Sequence, residues 1–191
     1  MLKIAATGFI LCLLSTAGFA QVPTSGNIFF GYSYMSADLV SGDRTSLNGW
    51  NGSLEGKVLP LLGVVADFSG HYGSQGLSFP VVCPVGILPP CFATASADIS
   101  EHNFLFGPRL SFSVGKFRPF AHVLIGAGHI SESVSGVSNS DTSFAYALGG
   151  GLDYHLVRLV SWRVQADALQ TRFFSSTQSN FRLSTGLAIH F

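Results

Sequence analysis

The last eleven residues, Phe181-Arg-Leu-Ser-Thr-Gly-Leu-Ala-Ile-His-Phe191, alternate with a period of two. Phe181, Leu183, Leu187, Ile189 and Phe191 share one face with Thr185, while Arg182, Ser184, Gly186, Ala188 and His190 share the other. A period of two is that of a strand, and about ten residues is the length a tilted strand needs to cross a membrane. A membrane-spanning strand must have every backbone N–H and C=O met by neighbouring strands, so such a chain has one solution open to it, a closed barrel.

The same stretch resembles the C-terminal sorting signal of bacterial outer-membrane barrels, with a polar residue, a glycine two later and an apolar run closing on an aromatic. Here those are Ser184, Gly186, Ile189 and Phe191. The resemblance implies recognition by a barrel-assembly machinery and residence in the bacterial outer membrane. The first twenty residues read as a signal peptide. Lys3 gives the positive start, Ile4 to Leu14 the apolar core and Gly18-Phe19-Ala20 a small-x-small cleavage site, leaving 21–191 as one barrel domain. The apolar run, roughly a dozen residues, falls short of the about twenty a spanning helix needs.

Charge is scarce. Ten Lys and Arg stand against ten Asp and Glu, charged residues are 10% of the chain, and 22 residues are Gly. A soluble domain usually carries about 25% charge. The balance leaves no basic surface for nucleic acid. Two cysteines remain after cleavage, Cys83 and Cys91, in a proline-rich segment. An even count in an exported chain reads as a disulfide. No further ligands accompany them, so no metal site is expected, and no cofactor.

Eight alternating segments follow in order: Asn27–Ser36, Leu47–Lys57, Leu62–Tyr72, Glu101–Phe112, Pro119–His129, Ser143–His155, Val160–Phe173 and the terminal strand. Between them, Ala37–Ser46, Gly73–Ser100 and Ile130–Thr142 read as long loops, and Val58–Leu61, Ser113–Arg118 and Leu156–Leu159 as tight turns. Long and short connections alternate, which is what an up-and-down meander of antiparallel strands produces. The fold expected is all-β, an eight-stranded transmembrane barrel with long loops outside and short turns in the periplasm. Pro108 falls mid-strand, where it has no N–H for the ladder, so a bulge or a missing bond is expected there.

Lipocalin-like soluble barrels also alternate, but a water-facing surface carries about a quarter to a third charged residues. The polar face here carries Gly, Ser, Ala and Asn, which suit a crowded lumen. Aromatics gather at both ends of the apolar face: Trp50, Tyr72, Phe104, Phe144 and Phe181 towards the loops, and Phe30, Phe112, Tyr154, Trp162 and Phe191 towards the turns. Such girdles mark the two membrane interfaces. Alternation puts Glu55, Asp67, Arg109, Asp153, Arg163, Asp167 and Arg182 in the lumen. Unpaired charges there cost several kcal/mol, so a salt-bridged plug is expected, with an ion path as the alternative.

Asn48–Gly56 (NGWNGSLEG), Val65–Gly73 (VADFSGHYG) and Phe104–Arg109 (FLFGPR) resemble small bacterial outer-membrane barrels of the OmpA-like or porin-like type. The resemblance spans the mature chain. It implies a monomer seated in outer-membrane lipid and lipopolysaccharide, with a surface protein or host ligand as the partner of its loops. OmpA's peptidoglycan-binding domain has no counterpart here, so a cell-wall tether is not expected. A structural or surface-interaction role comes first, a narrow pore second and a lipid A-modifying enzyme third. For the third, His129-Ile-Ser131-Glu132 places a His and a Ser on one face, in a Ser-rich context where such pairs arise by chance. No catalytic residue is assigned.

Overall fold

A computed structural model of the chain describes residues 25–40, 43–81, 91–134, 137–173 and 177–191. The expected signal peptide, residues 1–20, and residues 82–90 lie outside them. The strands are β1 (Gly26–Val40), β2 (Asp43–Lys57), β3 (Leu62–Val81), β4 (Cys91–Ser111), β5 (Phe117–Val134), β6 (Val137–Val157), β7 (Val160–Thr171) and β8 (Gln178–His190). Each pairs antiparallel with the next, and β8 pairs with β1, so the sheet closes as an eight-stranded barrel. The three short turns lie at one end together with both termini of the barrel. Gly115 has φ 61°, the left-handed conformation that lets the Val114–Phe117 turn close.

The faces follow the alternation, including on β5 and at the end of β7, where the sequence pattern is least regular. On β5, Phe120, His122 and Leu124 are buried while Val123 and Ile125 are exposed. On β7 the phase runs on unbroken, with Leu169 and Thr171 inside. Of the ten girdle aromatics, nine expose their rings to the membrane. Tyr154 is partly covered, with Phe117 at a ring distance of 5.3 Å. At Pro108 the β4–β5 ladder skips from Phe106↔Ile125 to Arg109↔His122 with the register unchanged, a gap and not a bulge.

Three loop readings are corrected: of the first long loop, residues 37–40 belong to β1 and residues 43–46 to β2. Gly73–Val81 pairs with Cys91–Ile99, and Ser131–Val134 pairs with Val137–Ser140, so much of each long connection is strand. These segments rise past the bilayer, where the outer face meets water instead of lipid and no apolar outer face is needed. Ser, Gly and Asn on both faces therefore read as loop. Cys91 opens β4 as a disulfide-bonded cysteine; Cys83 lies outside the described residues.

The lumen is layered. At its extracellular end Met35, Leu47, Ile99, Ile130, Leu169 and Phe173 form a buried apolar layer. Below it the interior carries the polar and charged side chains down to the turns, with Phe29, Val65, Leu105, Phe120 and Leu124 packed among them.

Candidate functional site

The lumen collects the strongest chemistry in the molecule. Glu55, Asp67, Arg109, Asp153, Arg163, Asp167 and Arg182 come from seven different strand positions, and all are buried with at most 1% of their surface exposed. Each sits there because its strand's other face is apolar and turned to lipid, which fixes the parity of every residue.

Arg182 is the hub of the middle layer. Its Nη1 donates to Asp67 Oδ1 at 2.7 Å and to Ser69 Oγ at 3.0 Å, while its Nε donates to Asp167 Oδ2 at 2.9 Å. Asn51 Nδ2 donates to Asp67 Oδ2, and Gln165 Nε2 to Asp167 Oδ2. His122 Nε2 lies 2.7 Å from Asp167 Oδ1. One guanidinium thus holds two carboxylates, and each carboxylate has neutral donors of its own.

The lower layer has two centres. Arg163 donates from Nε and Nη2 to the two oxygens of Asp153, at 2.6 and 2.8 Å, a bidentate pair. Arg109 Nη1 donates to Glu55 Oε2 at 3.3 Å. Phe120 lies between these arginines, with Arg109 Cζ 4.4 Å and Arg163 Cζ 4.8 Å from its ring centre. Glu55 Oε1 accepts no hydrogen bond but lies 3.7 Å from Lys57 Nζ and 3.5 Å from Arg118 Nη2. Beside them Ser161 Oγ links His155 Nδ1 at 2.6 Å and His190 Nε2 at 2.9 Å.

Sequence reasoning omitted Lys57, Arg118, His122 and Glu101 from the lumen set. Glu101 and His122 carry the inward parity of their strands, which was the signal available. Lys57 and Arg118 sit at strand ends, where a side chain reaches in or out, and only the register decides. Glu101 is buried opposite His71, held by Asn103 Nδ2 at 3.0 Å.

The His129–Ser131 pair is not assembled as a base and nucleophile. The hydrogen bond of His129 Nδ1 is with Thr142 Oγ1 across the sheet, at 2.7 Å. Among the described residues no group of three or more His, Cys, Asp or Glu is placed to hold a metal ion.

At the closing seam, Phe191 exchanges backbone hydrogen bonds with Gly26 at 3.0 and 3.1 Å, and the residue is 54% exposed. Two backbone bonds contribute about 0.5–1.5 kcal/mol each, and half the residue is already outside the protein. Deleting Phe191 is therefore expected to leave refolding in detergent micelles nearly intact while sharply lowering the amount reaching the outer membrane of cells. Immunoblotting of membrane fractions beside refolding yield checks both halves. Normal membrane levels of the truncated chain would remove Phe191 from the proposed assembly signal.

Comparison with solved structures finds the same architecture in several outer-membrane barrels. Ail of Yersinia pestis, crystallised with the heparin analogue sucrose octasulfate, is 18% identical with a TM-score of 0.57, over 86% of this chain and 98% of that one. Neisserial surface protein A is 11% identical with a TM-score of 0.65, over 87% and 97%. The outer membrane protease OmpT of Escherichia coli is 11% identical with a TM-score of 0.53, over 88% and 97%. At such identities the likeness is one of fold, and a fold shared with a protease and an attachment protein does not choose between activities. A sequence search of curated proteins finds no match. A family model described as the outer membrane protein beta-barrel domain matches residues 9–191. With the closed eight-stranded barrel and the aromatic girdles, this shows that the chain belongs to the outer membrane protein beta-barrel domain family and resides in the bacterial outer membrane.

Proposed function

We propose that this protein works at the cell surface through its extracellular hairpins, with its lumen closed by ion pairs and by the apolar layer above them. It is neither a pore nor an enzyme in this reading, and it acts as a monomer inserted by the barrel-assembly machinery. The observation that carries the proposal is the height of the β3–β6 wall. β4 has 21 residues, and β3 and β6 have 20 and 21, where about ten suffice to span. β2 stops pairing with β3 at Tyr72, and β7 pairs with β6 only from Ala145. Gly73–Val81 and Val137–Phe144 therefore present open backbone edges outside the membrane. An open edge in water is a template for another chain's strand.

The charge of this face narrows the partner. Asp38, Asp43, Asp98, Glu132 and Asp141 stand at or near the extracellular strand ends, against Arg44 and Arg172. A sulfated polyanion of the kind crystallised with Ail is repelled by such a surface; an extended segment of a neutral or basic protein fits it. A Cys83–Cys91 disulfide, part of the proposal, closes the tip of the tallest hairpin and reduces the entropy lost on binding.

The test replaces residues 74–97 by a two-residue turn. The trimmed barrel is expected to keep its heat-modifiable mobility on gels and to lose adhesion of expressing cells to host-cell monolayers. Adhesion retained by the trimmed form would sink the surface reading. Steady single-channel currents from the intact protein in planar bilayers would move the assignment to a narrow pore.

A further inference from the structure

We propose that the periplasmic mouth of the barrel holds a phospholipid with a net negative headgroup, its phosphate between Lys57 and Arg118 and an acyl chain in the groove alongside. The first observation is a charge imbalance. Arg109, Lys57 and Arg118 all lie within 4 Å of Glu55, so three cations share one carboxylate. The other buried acids nearby are committed, Asp153 to Arg163 and Asp67 and Asp167 to Arg182. Like charges gathered at a partly desolvated site repel one another, and a second anion relieves that repulsion.

The second observation is the cleft itself. A cavity of about 620 Å³ opens between the β2–β3 and β4–β5 turns, lined by Lys57, Arg118 and Ser111 and floored by Pro60 and Leu61. The side chains of Lys57 and Arg118 are only 14% and 13% exposed. Ser111 Oγ holds both cations in place, at 2.6 Å from Lys57 Nζ and 3.1 Å from Arg118 Nη2. Arg118 has five N–H donors; among the described residues Nη1 meets His190, while Nη2 meets Ser111 and faces Glu55. Donors remain for a phosphate oxygen.

The third observation identifies the ligand as an amphiphile. The cleft shares Leu61, Ser111 and Phe112 with an apolar groove of about 430 Å³ on the lipid face, and it shares Val58 with a second of about 400 Å³ that reaches Phe191. A headgroup in the cleft has its chains on these grooves without leaving the bilayer. The exposed ionisable side chains around it are basic, since the periplasmic turns and strand ends contain Lys57, Lys116, Arg118 and Arg158 and, among the described residues, no exposed Asp or Glu. A free phosphate satisfies the cations but leaves the grooves unused; a zwitterionic lipid brings an ammonium group against two cations.

The purified barrel in a non-ionic detergent, titrated with phosphatidylglycerol, phosphatidylcholine and inorganic phosphate and read by native mass spectrometry and thermal unfolding, tests this. Phosphatidylglycerol is expected to stay bound and to raise the unfolding temperature, with phosphatidylcholine much weaker and inorganic phosphate without effect. Loss of two charge-assisted contacts in Lys57→Gln/Arg118→Gln is expected to weaken phosphatidylglycerol binding about tenfold or more, while Arg158→Gln outside the cleft leaves it unchanged. If the double variant loses its heat-modifiable fold, Leu61→Glu serves instead. It sets a carboxylate on the exposed turn where cleft meets groove and is expected to abolish binding with the cations intact. Equal binding of both lipids, equal protection by inorganic phosphate, or equal weakening by Arg158→Gln would each overturn the proposal.

Discussion

Arg182→Met is expected to destabilise the barrel by about 3–5 kcal/mol, the cost of removing one partner from a buried ion pair. Methionine fills a similar volume, so the loss is electrostatic. Arg182 alone contacts both Asp67 and Asp167 at 2.7 Å, and all three side chains are fully buried. Without it two carboxylates remain in a narrow lumen, hydrogen-bonded among the described residues to Asn51, Gln165 and His122. Adding Asp67→Asn and Asp167→Asn removes the stranded charge and is expected to restore most of the loss, because an intact buried pair gains little over neutral packing. Urea unfolding in phospholipid vesicles, followed by the fluorescence of the lipid-facing Trp50 and Trp162, measures both. A loss under about 1 kcal/mol, the scale of solvated pairs, would mean that these carboxylates are hydrated, and the plugged lumen of the proposal would go with it.

Gly186→Val is the second large effect, and here two explanations compete. Gly186 belongs to the sorting-signal resemblance, and it also faces Gly31 across the closing β1–β8 seam. A Cβ on Gly186 would lie 2.3 Å from Phe30 O and 2.4 Å from Gly31 Cα. Those are backbone atoms that cannot rotate away, so the seam itself must part. Overpacking costs about 1–3 kcal/mol where side chains can yield, and a cost at or above the top of that range is expected here. Gly52→Ala is the comparison, since its Cβ meets nothing nearer than 3.6 Å, and it should be close to neutral. Refolding in detergent without any assembly machinery separates the two explanations. Failure of Gly186→Val to refold there assigns the residue to closure, and normal refolding with loss only in cells assigns it to the signal.

The parity of each strand was readable because lipid demands an apolar face, so the apolar residues of one strand fix the direction of all its others. Glu55, Arg109 and Arg163 were placed inside on that ground alone. Their partners were not readable, because pairing across a barrel depends on register and stagger between strands remote in sequence. Arg182 and Asp67 are 115 positions apart, and nothing local to either names the other. The same holds for Phe120, whose place between two guanidinium groups follows only from the register of distant strands. The apolar layer escaped notice for a different reason. Ile99 and Ile130 fall in segments whose Ser, Gly and Asp content reads as loop, and their role appears only once β3–β6 are seen to continue above the bilayer.

That continuation gives the molecule a front and a back. From Tyr72 to Val81 the β3 edge rises nine residues past its last ladder pair with β2, about 30 Å of chain at the usual rise per residue. β7 is 12 residues long in all. The rim is therefore a slope, high over β3–β6 and low over β7, β8 and the seam. Eight strands suggest rotational equivalence about the membrane normal, yet the protein has a compass bearing within the plane of the membrane. Neighbours that drift against its low side meet a barrel wall that ends near the surface, and those on its high side meet a palisade.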